Sequence, residues 1–191
     1  MSDTPSRQRV LIFIVAYEAA DHITAVLDRI PESFWDAQCY DCEVLVIDDA
    51  SRDNTAALCA AYKQYTRRAP LTVMRNPLNQ GYGGNQKIGY TYAIKHGFDV
   101  VALLHGDGQY APEFLPQLLE PVAMGRADAV FGSRMLQGTA ALRGGMPLYK
   151  FIGNRILTWC QNVLLGTRLS EFHSGYRIYR TATLARLGLD V

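Results

Sequence analysis

Val100-Val-Ala-Leu-Leu-His-Gly-Asp-Gly-Gln-Tyr-Ala-Pro-Glu113 changes character twice within one short stretch. Five apolar residues, two of them valine, predict a strand buried on both faces, and Pro112 with Glu113 predicts the opening turn of a helix. The loop between them carries an imidazole (His105), a carboxylate (Asp107), a carboxamide (Gln109) and two glycines. In an open α/β sheet, ligands bind just beyond the carboxyl ends of the strands, so these polar groups stand where chemistry is expected. A turn in which Asp107 and Gln109 bond only their own backbone is the competing structural reading.

The same logic extends outward in both directions. Val10-Leu-Ile-Phe-Ile-Val-Ala16 predicts a central strand, followed by a helix with Ile23, Val26, Leu27 and Ile30 at helical spacing, stopped before Pro31. Glu32 to Asp41 is expected as loop. Glu43 to Ile47 predicts a second strand, and Ser51 or Asp53 can cap the next helix, whose inner face reads as Leu58, Ala61, Tyr62 and Tyr65. Leu71 to Met74 predicts a third strand. Arg75 to Asn85 reads as a loop, and a helix with Ile88, Tyr92 and Ile94 follows. Beyond the opening stretch, Leu115, Leu118, Leu119 and Val122 mark a helix and Ala129 to Gly132 a further strand. Met135 to Met146, with Arg143, is expected to be a mobile glycine-rich loop, and a longer helix from about Leu148 carries Ile152, Ile156, Trp159 and Val163 on one stripe. Strands alternating with helices imply βαβ units and a largely parallel sheet.

At 191 residues the chain suits one domain with a substantial core. Lys and Arg number 19 against 18 Asp and Glu, so no broad polyphosphate-binding face is implied and nucleic acid is not an expected partner. Residues 1–9 are polar, unlike a signal peptide, and are expected to be disordered ahead of a folded domain over 10–191. No run reaches the ~18 apolar residues that cross a bilayer, and a cytoplasmic location is expected. Cys39, Cys42, Cys59 and Cys160 include one Cys-x-x-Cys without a second pair at zinc-ribbon spacing. Reduced thiols are therefore expected, with a zinc or redox site the lesser alternative.

Gly81-x-Gly83-Gly84 lacks the third glycine of a dinucleotide fingerprint, and no Gly-x-x-x-x-Gly-Lys-[Ser/Thr] is present, so dinucleotide and P-loop sites fail on spacing. A turn with free backbone amides before a helix N-terminus survives as an anion site, against a turn that needs glycine only for its geometry. Asp48 and Asp49 end one strand and Asp107 ends another, so carboxylates converge at one sheet edge and call for a cation, a sugar hydroxyl or a base N–H among them. For Asp53 the helix-capping role is preferred. Arg134 and Arg177, each beside small residues, can fork onto a phosphate or simply be solvated.

Six segments then stand in a telling order: Ile14-Val-Ala-Tyr17-Glu18, Val46-Ile-Asp48-Asp49-Ala-Ser51-x-Asp53-x-Thr55, Asn79-x-Gly81-x-Gly83-Gly84-Asn85, Gly106-Asp107-Gly108-Gln109, Gly132-Ser133-Arg134 and Ser174-Gly175-Tyr176-Arg177. This order resembles family 2 glycosyltransferases, most of all the polyprenyl-phosphate, dolichol-phosphate mannosyltransferase-like branch. The resemblance implies a single-domain α/β fold of the GT-A (Rossmann-like) kind, a mostly parallel sheet with helices on both faces. It implies a nucleotide-diphosphate sugar donor, with Tyr17, Glu18 and Asp48 or Asp49 on the nucleoside. Gly81, Gly83, Gly84, Asn85 and Gly106 would lie against the rest of the donor. Asp107 would bind a divalent metal, Mn²⁺ or Mg²⁺, that bridges the diphosphate, and Gln109 would be a further ligand. His105 stands where the family usually has Asp. Imidazole suits a transition metal and not Mg²⁺, so either the site prefers Mn²⁺ or His105 does not touch the metal.

The reaction implied is a metal-assisted, inverting sugar transfer in cell-envelope glycan synthesis. A nucleotide-sugar-binding protein without catalysis is the rival. A hydroxyl acceptor needs a general base, whereas a phosphate acceptor needs cations. After the metal loop only Glu171 and His173 offer a base, while Arg134 and Arg177 offer a phosphate clamp. A polyprenyl phosphate is therefore the expected acceptor, with a saccharide, and Glu171 as its base, the alternative. The helix from Leu148 to Leu165 is a candidate for peripheral contact with the inner face of a membrane, although core burial is the commoner use of such a stripe. Family members usually continue past Ser-Gly-Tyr-Arg, so a chain truncated on the acceptor side is expected.

Overall fold

The computed structural model describes residues 7–35, 39–66, 69–136, 142 and 146–189. Residues 1–6 of the expected disordered segment, and most of the glycine-rich loop with Arg143, lie outside these described residues. In chain order the elements are β1 (Gln8–Ala16), α1 (Ile23–Asp28), α2 (Glu32–Trp35), β2 (Tyr40–Asp48), α3 (Thr55–Tyr65), β3 (Leu71–Arg75), α4 (Gly81–Lys95), β4 (Val100–His105), α5 (Leu115–Ala123), β5 (Ala129–Gly132), α6 (Leu148–Leu165), β6 (Tyr176–Arg180) and α7 (Thr181–Leu184). The strands lie in the order β3-β2-β1-β4-β6-β5. The β1–β2, β1–β4 and β2–β3 pairs are parallel, and β6 runs antiparallel to β4. The chain gathers into two compact units, one of residues up to Val130 and from Arg177 onward, the other Phe131–Tyr176.

In the first unit, apolar residues run unbroken along β1 because both of its faces are covered. Leu11, Phe13 and Val15 pack with Leu45, Ile47, Val101 and Leu103 against Tyr90 and Ala93 of α4. The alternate residues are equally buried, together with Ile23, Val26 and Leu27 of α1 and Leu115, Leu119 and Val122 of α5. β1 and β2 both start earlier than their apolar runs, at Gln8 and Tyr40, because backbone pairing continues past the hydrophobic stretch.

Two helix faces differ from the periodic reading. On α3, Ala61 and Tyr65 are exposed while Thr55 and Cys59 are buried. The Thr55 hydroxyl is drawn inward, donating to Asp53 at 2.6 Å and accepting the Ala19 N–H at 2.9 Å, and this turns the stripe. On α4 the buried residues are Asn85, Gln86, Gly89, Tyr90 and Ala93, whereas Ile88, Tyr92 and Ile94 are only half-buried. The cause is close approach: a Cβ on Gly89 would lie 2.1–2.5 Å from the Phe13 ring, so the helix rests on the sheet at its glycine. The expected loop over Arg75 to Asn85 is also shorter than read, since α4 begins at Gly81.

In the second unit, Glu171 is the centre. Its Oε2 accepts the Arg134 N–H at 2.9 Å and the Ser133 hydroxyl at 3.2 Å, and its Oε1 accepts the Asn154 amide at 2.9 Å. The Ser174 hydroxyl donates to the Gly132 carbonyl and accepts the Tyr176 N–H at 3.1 Å. The stripe Ile152, Ile156, Trp159 and Val163 on α6 is exposed rather than buried.

Gly89→Ala should cost about 1–3 kcal/mol, the range for overpacking a tight contact, read as a fall in denaturant midpoint with an unchanged m-value. An unchanged midpoint would mean that α4 stands off the sheet.

Candidate active site

The parallel register sets the site. Ala16 stands opposite Asp48 and Val15 opposite His105, so the residues that follow β1, β2 and β4 leave the sheet side by side. Backbone bonds hold these exits together: Asp49 N–H donates to the Ala16 carbonyl at 2.8 Å and Gly106 N–H to the Val15 carbonyl at 2.9 Å. Glu18 and Ala50 just beyond take positive φ of 49° and 61°, uncommon for side chains of this kind and kept by the bonds around them. The Glu18 N–H donates to the Ser51 hydroxyl at 2.8 Å, and the Ser51 hydroxyl donates to Asp48.

A cavity of about 320 Å³ opens at this edge, within the first unit. It is lined by Tyr17, Asp49, Gly81, Asn85, His105, Gly106 and Asp107 among the residues expected there, and by Val15, Ala16, Asn79 and Tyr82 in addition. Glu18, Asp48, Gly83, Gly84 and Gln109 lie outside its lining. Asp48 is instead a buried strut, accepting the Ser51 N–H at 3.2 Å with Arg75 Nε 3.3 Å from its other oxygen. Asp49 Oδ1 accepts the Asn76 amide at 2.7 Å and the Gln80 N–H at 2.9 Å, tying the approach to α4 to the end of β2. Asn79 Oδ1 accepts the Gly81 N–H at 2.8 Å and starts the helix. The glycines are thus the first turn of α4 and not a loop ahead of it. Gly81 has φ +70°, and a Cβ on Gly84 would come within 2.9 Å of the Gln80 Cβ. Gly106 is packed tightly too, since a Cβ there would meet Ile23, Ala16 and Ala19 at 3.0–3.3 Å.

Asn85 is buried and gives its amide to the Ile47 carbonyl at 3.1 Å, but its Oδ1 has no partner. A buried acceptor left open at a cavity wall is what a ligand N–H or O–H would satisfy. Among the described residues, no three His, Cys, Asp or Glu side chains stand close enough to hold a metal ion alone. Asp107 offers one exposed carboxylate, whose Oδ1 accepts the Gln109 N–H at 3.0 Å. Mg²⁺-like ions commonly take one or two carboxylates and draw their other ligands from water and substrate phosphates, so this donor set fits an ion that arrives with a diphosphate.

His105 has a neighbour that sequence reasoning missed. Its Nε2 lies 3.0 Å from the Tyr82 hydroxyl, and its ring sits 5.0 Å from Tyr82 and 5.2 Å from Tyr110, centroid to centroid. The signal available was an aromatic inside a glycine-rich turn, where nothing in the turn's geometry requires one. Burial pushes the Tyr82 phenol up to about 12, with Arg177 pulling the other way. The Cys-x-x-Cys pair is free of disulfide, and burial with Asp41 beside it pushes the Cys42 thiol up to about 12, unfavourable for a thiolate ligand or nucleophile.

The family model for glycosyl transferase family 2 matches residues 11–186. The chain belongs to that family. It is 31% identical over 190 residues to an undecaprenyl-phosphate mannosyltransferase of Micrococcus luteus, covering 95% of this chain and 70% of the relative. It is 28% identical over 183 residues to a polyprenol monophosphomannose synthase of Mycolicibacterium smegmatis, covering 96% and 66%. Its fold matches a mannosyltransferase from Pyrobaculum calidifontis, solved in complex with GDP-Man and Mn²⁺, with a TM-score of 0.63 at 19% identity. That match covers 98% of this chain and 49% of the solved one. The expected branch and the GT-A fold of this family 2 glycosyltransferase are thereby borne out.

A raised phenol pKa favours the folded state fully below the unfolded tyrosine value near 10, and that contribution is lost as pH climbs through about 12. An ultraviolet phenolate titration should therefore show Tyr82 ionising late, and Tyr82→Phe should remove one such late step. Loss of a step near 10 instead would mean that Tyr82 ionises like a solvated tyrosine.

Proposed function

We propose that this chain transfers a sugar, with inversion, from a nucleotide-diphosphate sugar to a polyprenyl phosphate at the inner face of a membrane, in envelope glycan synthesis. Tyr17 and Asp49, at the cavity wall, hold the nucleoside together with Glu18, and Asn85 Oδ1 accepts from the donor. The glycine-led start of α4 (Gly81, Gly83, Gly84) and the tightly packed Gly106 leave room for the donor's diphosphate and sugar. Asp107 and Gln109 would hold the divalent metal, which would supply charge neutralisation to the departing diphosphate. His105 acts indirectly, steadying Tyr82 at the rim. GDP-mannose is the first donor to test, since the relatives named above are mannosyltransferases and a mannose phosphate synthase.

The observation that carries the acceptor assignment is Glu171. It is buried, and both its oxygens accept hydrogen bonds from its own unit. A carboxylate so engaged is a strut and not a base poised for an incoming hydroxyl. An acceptor phosphate needs no base. One of its oxygens bonds to the anomeric carbon from the face opposite the leaving group, and the bond to the β-phosphate oxygen breaks. The electron pair leaves with the nucleoside diphosphate. Arg177 is the cation assigned to the acceptor phosphate.

Asp107→Ala should abolish the gain in GDP-mannose affinity that Mn²⁺ gives, and His105→Asp should improve the use of Mg²⁺, both by calorimetry. Indifference of the parent chain to metal would remove Asp107 and Gln109 from the metal site.

Given a short-chain polyprenyl phosphate, Arg177→Ala should lose at least about tenfold in kcat/KM, the scale of one lost charge-assisted contact. Glu171→Gln should keep its activity per folded molecule while unfolding at lower denaturant. Transfer only to a saccharide, abolished by Glu171→Gln, would make Glu171 the base. Donor binding without transfer to either acceptor would favour the binding-protein alternative.

A further inference from the structure

β6 turns two of its side chains toward α4. In its pairing with β4, Arg177 stands opposite Leu103 and Tyr179 opposite Val101, and Leu103 and Val101 belong to the layer that packs with Tyr90 of α4. Tyr176 and Ile178, the alternate residues, are buried on the other face. Because the pairing is antiparallel, Arg177 comes near the carboxyl end of β4, beside the candidate site.

Behind this arginine stands a row of rings that begins in the middle of the sheet. Phe13 of β1, fully buried, meets Tyr90 edge-on, with centroids 6.2 Å apart at 76°. Tyr90, 6% exposed, meets Tyr179 in the same way at 5.6 Å and 79°. Both pairs have the edge-to-face geometry that aromatic rings favour. The Tyr179 hydroxyl then accepts a hydrogen bond from the Arg177 guanidinium. An unbroken run of contacts thus leads from the core to a cation.

Two further phenols stand within electrostatic reach of Arg177. Burial pushes Tyr82, Tyr90 and Tyr179 all upward, and Arg177 pulls each of them back. The three hydroxyls are differently engaged. Tyr82 is committed to His105 at 3.0 Å, and the buried Tyr90 hydroxyl has no hydrogen-bond partner, so Tyr90 contributes its ring. Tyr179 bonds the guanidinium itself. An arginine side chain turns about several bonds, and fixing it at the moment of binding costs affinity. A hydrogen bond to a ring already wedged against the core fixes it beforehand.

We infer that Tyr179 is a positioning residue: its hydroxyl, backed by Tyr90 and Phe13, holds the Arg177 guanidinium in the orientation in which it meets the acceptor phosphate. The inference rests on the assignment of Arg177 to that phosphate, and the test separates the two.

Tyr179→Phe keeps the ring against Tyr90 and removes only the hydroxyl. With GDP-mannose, Mn²⁺ and a short-chain polyprenyl phosphate, it should raise the KM for polyprenyl phosphate roughly fivefold, the scale of one lost hydrogen bond, and leave the KM for GDP-mannose unchanged. In a double-mutant cycle, Tyr179→Phe with Arg177→Ala should have the same kcat/KM as Arg177→Ala, because the hydroxyl acts only through the guanidinium. A residue that served folding alone would lower kcat with the folded fraction and move neither KM, and that result would overturn the inference. So would an impaired Arg177→Ala chain beside an unimpaired Tyr179→Phe chain, or losses that multiply in the double variant; both outcomes leave the acceptor assignment standing. An Arg177→Ala chain as active as the parent would overturn the assignment and the inference together.

Discussion

Parallel pairing on both sides of β1 is the constraint on which the rest depends. β1 has β2 on one edge and β4 on the other, all three running the same way, so their carboxyl ends must emerge together. Tyr17, Asp49 and Gly106 meet at one cavity because Ala16 faces Asp48 and Val15 faces His105 in the ladder. A slip of one residue in either pair would turn the buried apolar residues of a strand toward the opposite helix layer, and both layers are already filled. The hydrophobic core therefore holds the register, and the register holds the site.

At the exits of the strands, buried carboxylates take over from apolar packing. Asp48 and Asp49 are adjacent in sequence and emerge on opposite sides of the chain, so each organises a different loop. Asp48 closes the turn to Ser51 and draws in Arg75; Asp49 gathers Asn76 and the Gln80 N–H that leads into α4. An apolar residue in place of Asp48 would leave the buried Ser51 N–H unsatisfied, and one in place of Asp49 the buried Asn76 amide, a loss of about 1–3 kcal/mol for each. The pocket wall is thus rigid where it meets the sheet, and its positive-φ residues, Glu18 and Ala50, sit where these bonds converge.

Much of this was legible from residue order. The central strands announce themselves as unbroken apolar runs, and the polar residues that end them mark the ligand edge by topology alone. The faces of α3 and α4 were not legible, because periodicity weighs Tyr65 and Ile88 by their hydrophobicity while the fold turns each helix by a hydrogen bond at Thr55 and a close approach at Gly89. β6 was missed as a strand for a similar reason. Tyr176 to Arg180 is short and rich in arginine, and its pairing with β4 comes from distant chain. The Tyr82–His105 contact joins residues 23 apart, and no local signal pairs them. The outward face of α6 was readable as a stripe, but its direction depended on Asn154, Thr158 and Asn162 finding partners within their own unit.

The cavity's charge gives a physical reason why the proposed nucleotide-diphosphate donor would call for a metal. The charged side chains in its lining are Asp49 and Asp107, with no Lys or Arg among the lining residues. The start of α4 contributes about half a positive charge at most, and Arg177 lies near Tyr82 outside the lining. A diphosphate brings two or more negative charges into the same space. Such charges a few ångströms from Asp107 repel it by roughly 4 kcal/mol per pair at an effective dielectric of about 20. Asp49 has given its Oδ1 to Asn76 and Gln80, whereas Asp107 stands exposed with a neighbouring carboxamide. A divalent cation held at Asp107 would offset that repulsion. With only one carboxylate to offer, the protein would hold such an ion weakly by itself and more firmly with the proposed donor present. His105, where the resembled family usually has Asp, fits the same logic: one negative charge fewer would lower the repulsion the proposed donor meets on entry.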